Sequence, residues 1–414
     1  MAPKRRKDSQ RRVLRDGEYE RSNGTFEYRW RDKRGKSHSV YAKTLEELRE
    51  KEADVQTDVL SGISVSAREL TINDVYEKWK QLKKGLKGNT FRNYSYTYER
   101  FVAHDLGKMR VTDLKRSDVR AFYINLIEKR GMKTASVECV QSVLHQVLAL
   151  AVADDIIRYN PADNALTELK RAHLADSEKR RALTVAEQQL FEEFLQNSAR
   201  YRHWAPIFTV MLWTGIRVGE VTGLRWVDID LDEGIISVNH TLVFYSKGEG
   251  NGGCVFAINT PKTKAGERTI PMLPKVREAF LQERLNQEEL GIKCQAVIDG
   301  YSDFVFVNRF GSVQHFGTLN RALNRIVRDC NQAALARGKG KPDTVLLPKI
   351  SNHTLRHTFT TRMCEAGINI KAMQAILGHA DSQTTLDVYT DATKELKQRE
   401  MIRLEDYFQD TDEE

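Results

Sequence analysis

Residues 351–389 read SNHTLRHTFTTRMCEAGINIKAMQAILGHADSQTTLDVY. Ser351 or Asn352 suits the cap of a helix, and His353 and Arg356, three apart, then share one helical face. A Leu377-Gly378-His379 turn follows, and Tyr389 comes ten residues beyond His379, after the apolar Leu386 and Val388. Two imidazoles, a guanidinium and a phenol are an odd set for a core. They suit the surroundings of an anion that a hydroxyl attacks. Arginine offers a planar fork matching phosphate oxygens, and a tyrosine oxygen becomes a nucleophile where its surroundings favour the phenolate.

One arginine cannot neutralise a pentacoordinate phosphate, so a second half of the site is needed. It is offered upstream by WTGIRVGEVTGLRW, Trp213 to Trp226. There Thr214-Gly215 interrupts an apolar helix, Arg217 opens the next helix, and Glu220 lies three residues on. A third segment, TPKTKAGERTIP over 260–271, is expected to form a β-hairpin turn carrying Lys262.

In this order the three segments resemble the tyrosine recombinase (phage integrase) family, with its H-x-x-R, L-G-H and following tyrosine, its T-G-x-R-x-x-E and its hairpin lysine. The resemblance implies that Tyr389 attacks the phosphodiester to give a 3′-phosphotyrosine and a free 5′-hydroxyl. Arg217 and Arg356 would clamp the non-bridging oxygens. Lys262 would protonate the leaving oxygen, its ammonium acidified by the two arginines. Lys264 is a neighbouring rival, and motif position favours Lys262. His353 would orient or deprotonate the tyrosine, and His379 would donate to the phosphate. Glu220 would orient an arginine or histidine without touching the reacting atoms. No cofactor and no metal are expected, since two arginines and a lysine take the metal's place. His353 and His357 are four apart as in zinc-binding helices, but Thr354 stands where H-E-x-x-H needs a glutamate.

At 414 residues the chain exceeds one ordinary core, and two or three domains are expected. No apolar run approaches about 18 residues, so neither a membrane span nor a signal peptide is expected. The five cysteines are scattered, which points to reduced thiols in a cytoplasmic setting, without a disulfide frame. The net charge of +8 favours a polyanionic partner. Charge is uneven: residues 1–36 hold 13 Lys/Arg against 6 Asp/Glu, so that end is the better candidate for phosphate contact. Lys4-Arg5-Arg6-Lys7 reads as a phosphate-binding arm, or as a nuclear signal in a eukaryotic source.

Along the chain, residues 17–43 alternate with period two around Asn23-Gly24 and Arg34-Gly35 turns. Phe26, Tyr28 and Trp30 face one side, Glu27, Arg29 and Arg31 the other. A helix is expected from Thr44, boxed by Glu47, with a stripe of Leu45, Leu48, Val55 and Val59. This predicts a three-stranded sheet backed by one helix, its aromatic face buried and its Arg-rich face free for DNA. A linker runs from about Ser61 to Leu70. A helix bearing Ile72, Val75, Tyr76, Trp79 and Leu82 follows, then helices near 90–102, 117–129 and 134–154. Beyond a charged connector from Lys170 to Arg181, Thr184 and Glu187 form another capping box. Helices are expected around 204–214, 217–224 and 275–290 and from about Thr318, a β-region over 234–271 and a short strand at Phe304–Asn308. Residues 247–253 read as a mobile hairpin loop and 338–349 as a loop or insertion.

The fold class is therefore α+β and multidomain. Residues 1–65 would form an arm-type DNA-binding domain, 70–165 a helical core-binding domain and 180–395 the catalytic domain. Residues 396–414 would form a C-terminal segment, packing on its own domain or on a neighbouring protomer. The resemblance is strongest to conjugative-transposon or temperate-phage integrases. It implies double-stranded DNA with core and arm sites as partner, a tetramer on DNA and a directionality factor. Alternatives are a chromosome-dimer resolvase or type IB-like topoisomerase using the same chemistry, and a non-catalytic DNA-binding regulator.

Overall fold

The structure, a computed structural model, describes residues 6–31, 35, 37–60, 69–83, 85, 88–173, 181–246, 253–261, 264–338, 341, 343–379, 386 and 401–402. The chain divides into two compact units, Met1–Glu178 and Lys179–Glu414, and the boundary falls within the charged connector.

The first unit opens with an antiparallel sheet of β1 (Glu18–Glu20), β2 (Phe26–Arg31) and β3 (Ser37–Ala42), in that order. Helix α1 (Leu45–Leu60) covers it, and Phe26, Tyr28, Leu45, Leu48 and Val55 make the core. The capping box forms one residue wider than expected. Glu47 donates its amide to Thr44 Oγ1, while its carboxylate accepts from the amide of Lys43. The expectation of a free charged face needs one correction. Glu27 is buried, because the Arg29 fork closes over both of its oxygens at 2.7 and 2.9 Å. Those hydrogen bonds, outweighing burial, hold its carboxyl down at about 2. Arg29, Arg31, Tyr19 and Tyr41 remain exposed on that face.

A separate helical core in this unit gathers α2 (Ile72–Leu82), α3 (Gly88–Thr97), α4 (Arg116–Ile124), α5 (Thr134–Ala153) and α6 (Thr167–His173). Single π-turns extend α3 through Val102 and α4 through Lys129, so the continuous helices match the lengths expected from periodicity. Thr71 and Asp74 cap α2 reciprocally. Ile72, Val75, Tyr76 and Trp79 are buried, whereas Leu82 lies 66% exposed at the helix end, off the stripe. Helix α5 is long and apolar enough to cross a bilayer by length and composition alone, although Glu138, Gln141, His145 and Gln146 break its apolar run. Its Val137, Val140, Leu144, Val147 and Leu148 form the middle of this core instead.

The second unit is built around α8 (Ala205–Thr214), preceded by α7 (Val185–Asn197) with its Thr184/Glu187 box. Helix α8 reads APIFTVMLWT, apolar on every side, and a helix without a polar face belongs in the centre of a domain. Ile207, Phe208, Val210, Met211 and Leu212 are all buried. After α9 (Val218–Gly223) come β4 (Ile229–Asp230), β5 (Ile235–Val238), β6 (Thr241–Ser246), β7 (Cys254–Asn259) and β8 (Arg268–Pro271). They form one sheet in the order β4-β5-β8 and a separate hairpin β6-β7. The chain ends in α10 (Pro274–Glu289), α11 (Phe316–Gly338), α12 (Asn352–Glu365) and α13 (Ile370–Leu377), followed by 386 and 401–402. The expected strand at 304–308 is not one. Phe304 to Val307 are buried, but only the isolated bridges Arg225–Phe304 and Val307–Val313 form, so the apolar run reports burial without pairing. Of residues 338–349, expected as a loop or insertion, 338 ends α11, and the described 341 and 343–349 form a loop, which Asn331 fastens by binding both the amide and the carbonyl of Leu347. Of the loop expected over 247–253, residues 247–252 lie outside the described residues.

Helix α10 carries one charge in its buried stripe. Val276, Ala279, Phe280 and Glu283 follow the i, i+3, i+4, i+7 pattern and face the core. Burial pushes the Glu283 carboxyl up to about 7, against the opposing hydrogen bond from Gln287. The folded chain thus keeps a proton that the unfolded chain releases above about 4.5, so this group's stabilising contribution is whole below that pH and lost as pH rises through 7. Glu283→Gln keeps the acceptor and needs no proton, so it is expected to stabilise the unit by about 3 kcal/mol at pH 8 and by little at pH 4. Thermal unfolding of both chains at the two pH values checks this, and a gain independent of pH would refute it.

Candidate active site

Helix ends build the site. Helix α8 stops because Gly215 takes a left-handed conformation, φ 61°, and a Cβ there would stand 2.5 Å from the Phe359 ring. Helix α13 stops the same way at Gly378, φ 64°, where a Cβ would meet the carbonyl oxygen of Ala265 at 2.9 Å. A helix end leaves carbonyls without intrahelical partners and carries partial negative charge, which suits arginine. Both ends are used that way. Arg356, in the second turn of α12, donates Nη1 to Gly215 O at 2.6 Å and Nη2 to Leu377 O at 2.8 Å. Arg217, the N-cap of α9, donates Nη2 to Gly378 O at 3.1 Å. The two arginines, far apart in sequence, thus hang from consecutive carbonyls of one turn.

Glu220 joins this pair to β8. Its Oε1 accepts from Arg217 Nη1 at 2.9 Å and its Oε2 from the Arg217 amide at 3.0 Å. The Arg268 fork takes the same carboxylate at 3.2 and 2.8 Å, and Arg268 Nε donates to Ile376 O at 2.6 Å. Burial alone would raise the Glu220 carboxyl, but the Arg268 hydrogen bonds and the charges of Arg268 and Arg217 hold it below the ordinary range. Glu220 is therefore ionised and shared.

His379 receives Arg356 Nη2 at 2.7 Å on Nε2. A guanidinium only donates, so Nε2 accepts and the ring proton sits on Nδ1. Burial, followed by the charges of Arg356 and Arg217, pushes the imidazole down to about 4, leaving it neutral across the physiological range. Gln374 Nε2 holds the His379 carbonyl at 3.1 Å. Arg356 itself is pushed down to about 9 by burial first and by Arg217 second, and stays charged at neutral pH.

Of the residues expected from sequence, Arg217, Glu220, Arg356 and His379 meet in this cluster. His353 lies one turn before Arg356 on α12, on the exposed side, with Ser351 as the cap. Lys262 and Tyr389 lie outside the described residues. The expectation of a hairpin turn around Lys262 is corrected in one respect. The flanking strands do not pair with each other: β7 pairs with β6 and β8 with β5, so the segment crosses between two sheets. Its short turn Lys264–Gly266 nevertheless reaches the Gly378 turn through Ala265. Sequence reading missed Arg268 and Gln374. No sequence signal marked Arg268, because its tie to Glu220 joins segments 48 residues apart.

The sequence profile of the phage integrase family matches residues 181–395. That of the DNA binding domain of Tn916 integrase matches 2–59, and that of the phage integrase N-terminal SAM-like domain matches 71–127. The chain belongs to the phage integrase family, the tyrosine recombinases. It is a site-specific recombinase of the conjugative-transposon integrase kind: the transposase of transposon Tn916 from Enterococcus faecalis is 30% identical over 98% of this chain and 97% of its own length. The Tn1549 transposon integrase, solved in complex with a circular intermediate DNA, is 28% identical with a TM-score of 0.69, over 81% of this chain and 99% of that one. Lambda integrase, solved as a tetramer bound to a Holliday junction, shares the fold at 20% identity and a TM-score of 0.50, over 91% of this chain and 96% of that one.

Proposed function

We propose that Arg217, Lys262, His353, Arg356, His379 and Tyr389 carry out strand exchange, with Glu220 orienting Arg217. The observation that carries this reading is the suspension of Arg217 and Arg356 from the consecutive carbonyls of Leu377 and Gly378. It sets two charges over one place, as two non-bridging phosphate oxygens require. Tyr389 Oη attacks phosphorus, the bond to the 5′-oxygen breaks, and a 3′-phosphotyrosine forms. The phenolic proton leaves toward His353, while Lys262 protonates the departing 5′-oxygen. Neutral His379 acts as a hydrogen-bond donor. Rejoining reverses the same steps and needs no nucleotide, because the ester bond energy is kept.

The substrate in this reading is the end of a mobile element and its excised circular form, the DNA on which the Tn1549 relative was solved. Residues 1–65 hold arm-type sites, 70–165 grip core sites and 180–395 cut. Four protomers assemble on two duplexes in the cytoplasm, a directionality factor biasing integration against excision. The test is a nicked duplex bearing the element end, incubated with the full chain and excess EDTA without nucleotide. A covalent 3′ adduct is expected. A reproducible EDTA block would replace this reading with a metallonuclease.

Residues 396–414 complete the proposal. Met401 and Ile402, the described residues there, are exposed on the single chain, which favours packing against a neighbour. Deleting 396–414 is expected to leave binding to one core site intact and to weaken cooperative filling of two. Gel-shift titrations on one-site and two-site duplexes decide it. Unchanged cooperativity would mean that the segment packs on its own domain.

A further inference from the structure

Arg217 and Arg268 share Glu220, yet only one of them can meet DNA: the Arg217 side chain is 39% exposed and that of Arg268 is 5%. The buried arginine contributes no phosphate contact, and a buried charge is retained where something needs it. Glu220 needs it. Bound to Arg217 alone, the carboxylate would cancel that arginine's charge in a poorly screened place. With Arg268 on both oxygens, the three groups carry one net positive charge, and it lies on the member that reaches solvent. Arg268 also ties β8 to Ile376 O, the carbonyl just before the two that hold Arg356 and Arg217.

We propose that Arg268 is a positioning residue for strand cleavage: it neutralises Glu220, so that the charge of Arg217 remains available to the scissile phosphate. The inference rests on the assignment of Arg217 as a phosphate clamp. A plain strut role, in which Arg268 only fastens β8 to α13, makes a different prediction, and the two separate in a double variant.

The measurement is the first-order rate of covalent adduct formation by the full chain at saturating protein, on the nicked duplex, with binding measured separately. Arg268→Gln is expected to slow the step at least about 100-fold with affinity within about threefold. Adding Glu220→Gln removes the charge that Arg268 offsets, so the double variant is expected to recover at least about tenfold. A double variant no faster than Arg268→Gln alone overturns the proposal. Where Arg268→Gln does not fold, as its melting curve shows, Arg268→Lys carries the test. It keeps the charge without the fork, and a rate within about tenfold of the parent chain is expected. A loss as deep as that of Arg217→Gln overturns the proposal instead. Full activity of Arg217→Gln would remove the clamp assignment itself and this inference with it, so the two failures are told apart.

Discussion

Tyr389→Phe is expected to form no covalent adduct with DNA while binding the duplex within about threefold of the parent chain, because affinity comes chiefly from cations on phosphates. The substitution removes one oxygen and keeps the ring. In the proposed mechanism that oxygen is the atom which becomes esterified, so no rearrangement of neighbours substitutes for it. Arg217, Arg356 and His379 are held by helix-end carbonyls and by each other. This cluster does not depend on the phenol oxygen, so in the proposed mechanism the loss belongs to the chemical step. The assay is denaturing electrophoresis of protein with labelled nicked DNA. A shifted band with Tyr389→Phe would show that another group is the nucleophile.

Lys262→Ala carries the second large effect. The leaving 5′-alkoxide is strongly basic, and a positioned general acid contributes about 10²–10⁴-fold. Loss of Lys262 is expected to slow cleavage of ordinary DNA by an amount in that range. A 5′-bridging sulfur leaves as a thiolate and needs no proton, so with that substrate Lys262→Ala is expected to cleave within about tenfold of the parent chain. Equal defects on both substrates would remove Lys262 from the role. The same pair of measurements on Lys264→Ala then tests its neighbour, in the turn whose Ala265 carbonyl approaches Gly378.

Much of this protein is determined locally, and what is local can be read from sequence. The boxes at Thr184 and Ser351 start helices where hydroxyls and the residues three further on dictate. The thirteen-residue run of α7 and the turn glycines Gly215 and Gly378 follow from the same local rules. The three motifs in their order were enough to carry the resemblance to the tyrosine recombinases, and with it the expected chemistry. Tertiary structure decided what spacing cannot express. Periodicity reports that a residue is buried but not what it is buried against. Thus 304–307 is buried without being a strand, Glu283 occupies an apolar position as an acid, and Glu27 lies under Arg29 on a face expected to be open. The pairing of β7 with β6 and of β8 with β5 likewise depends on partners, which no segment specifies by itself. The same holds at the site. Sequence supplied Arg217 and Arg356, whereas their suspension from one turn and the sharing of Glu220 with Arg268 arise only when α8, α13 and β8 converge, because hydrogen bonds between distant segments leave no period in the chain.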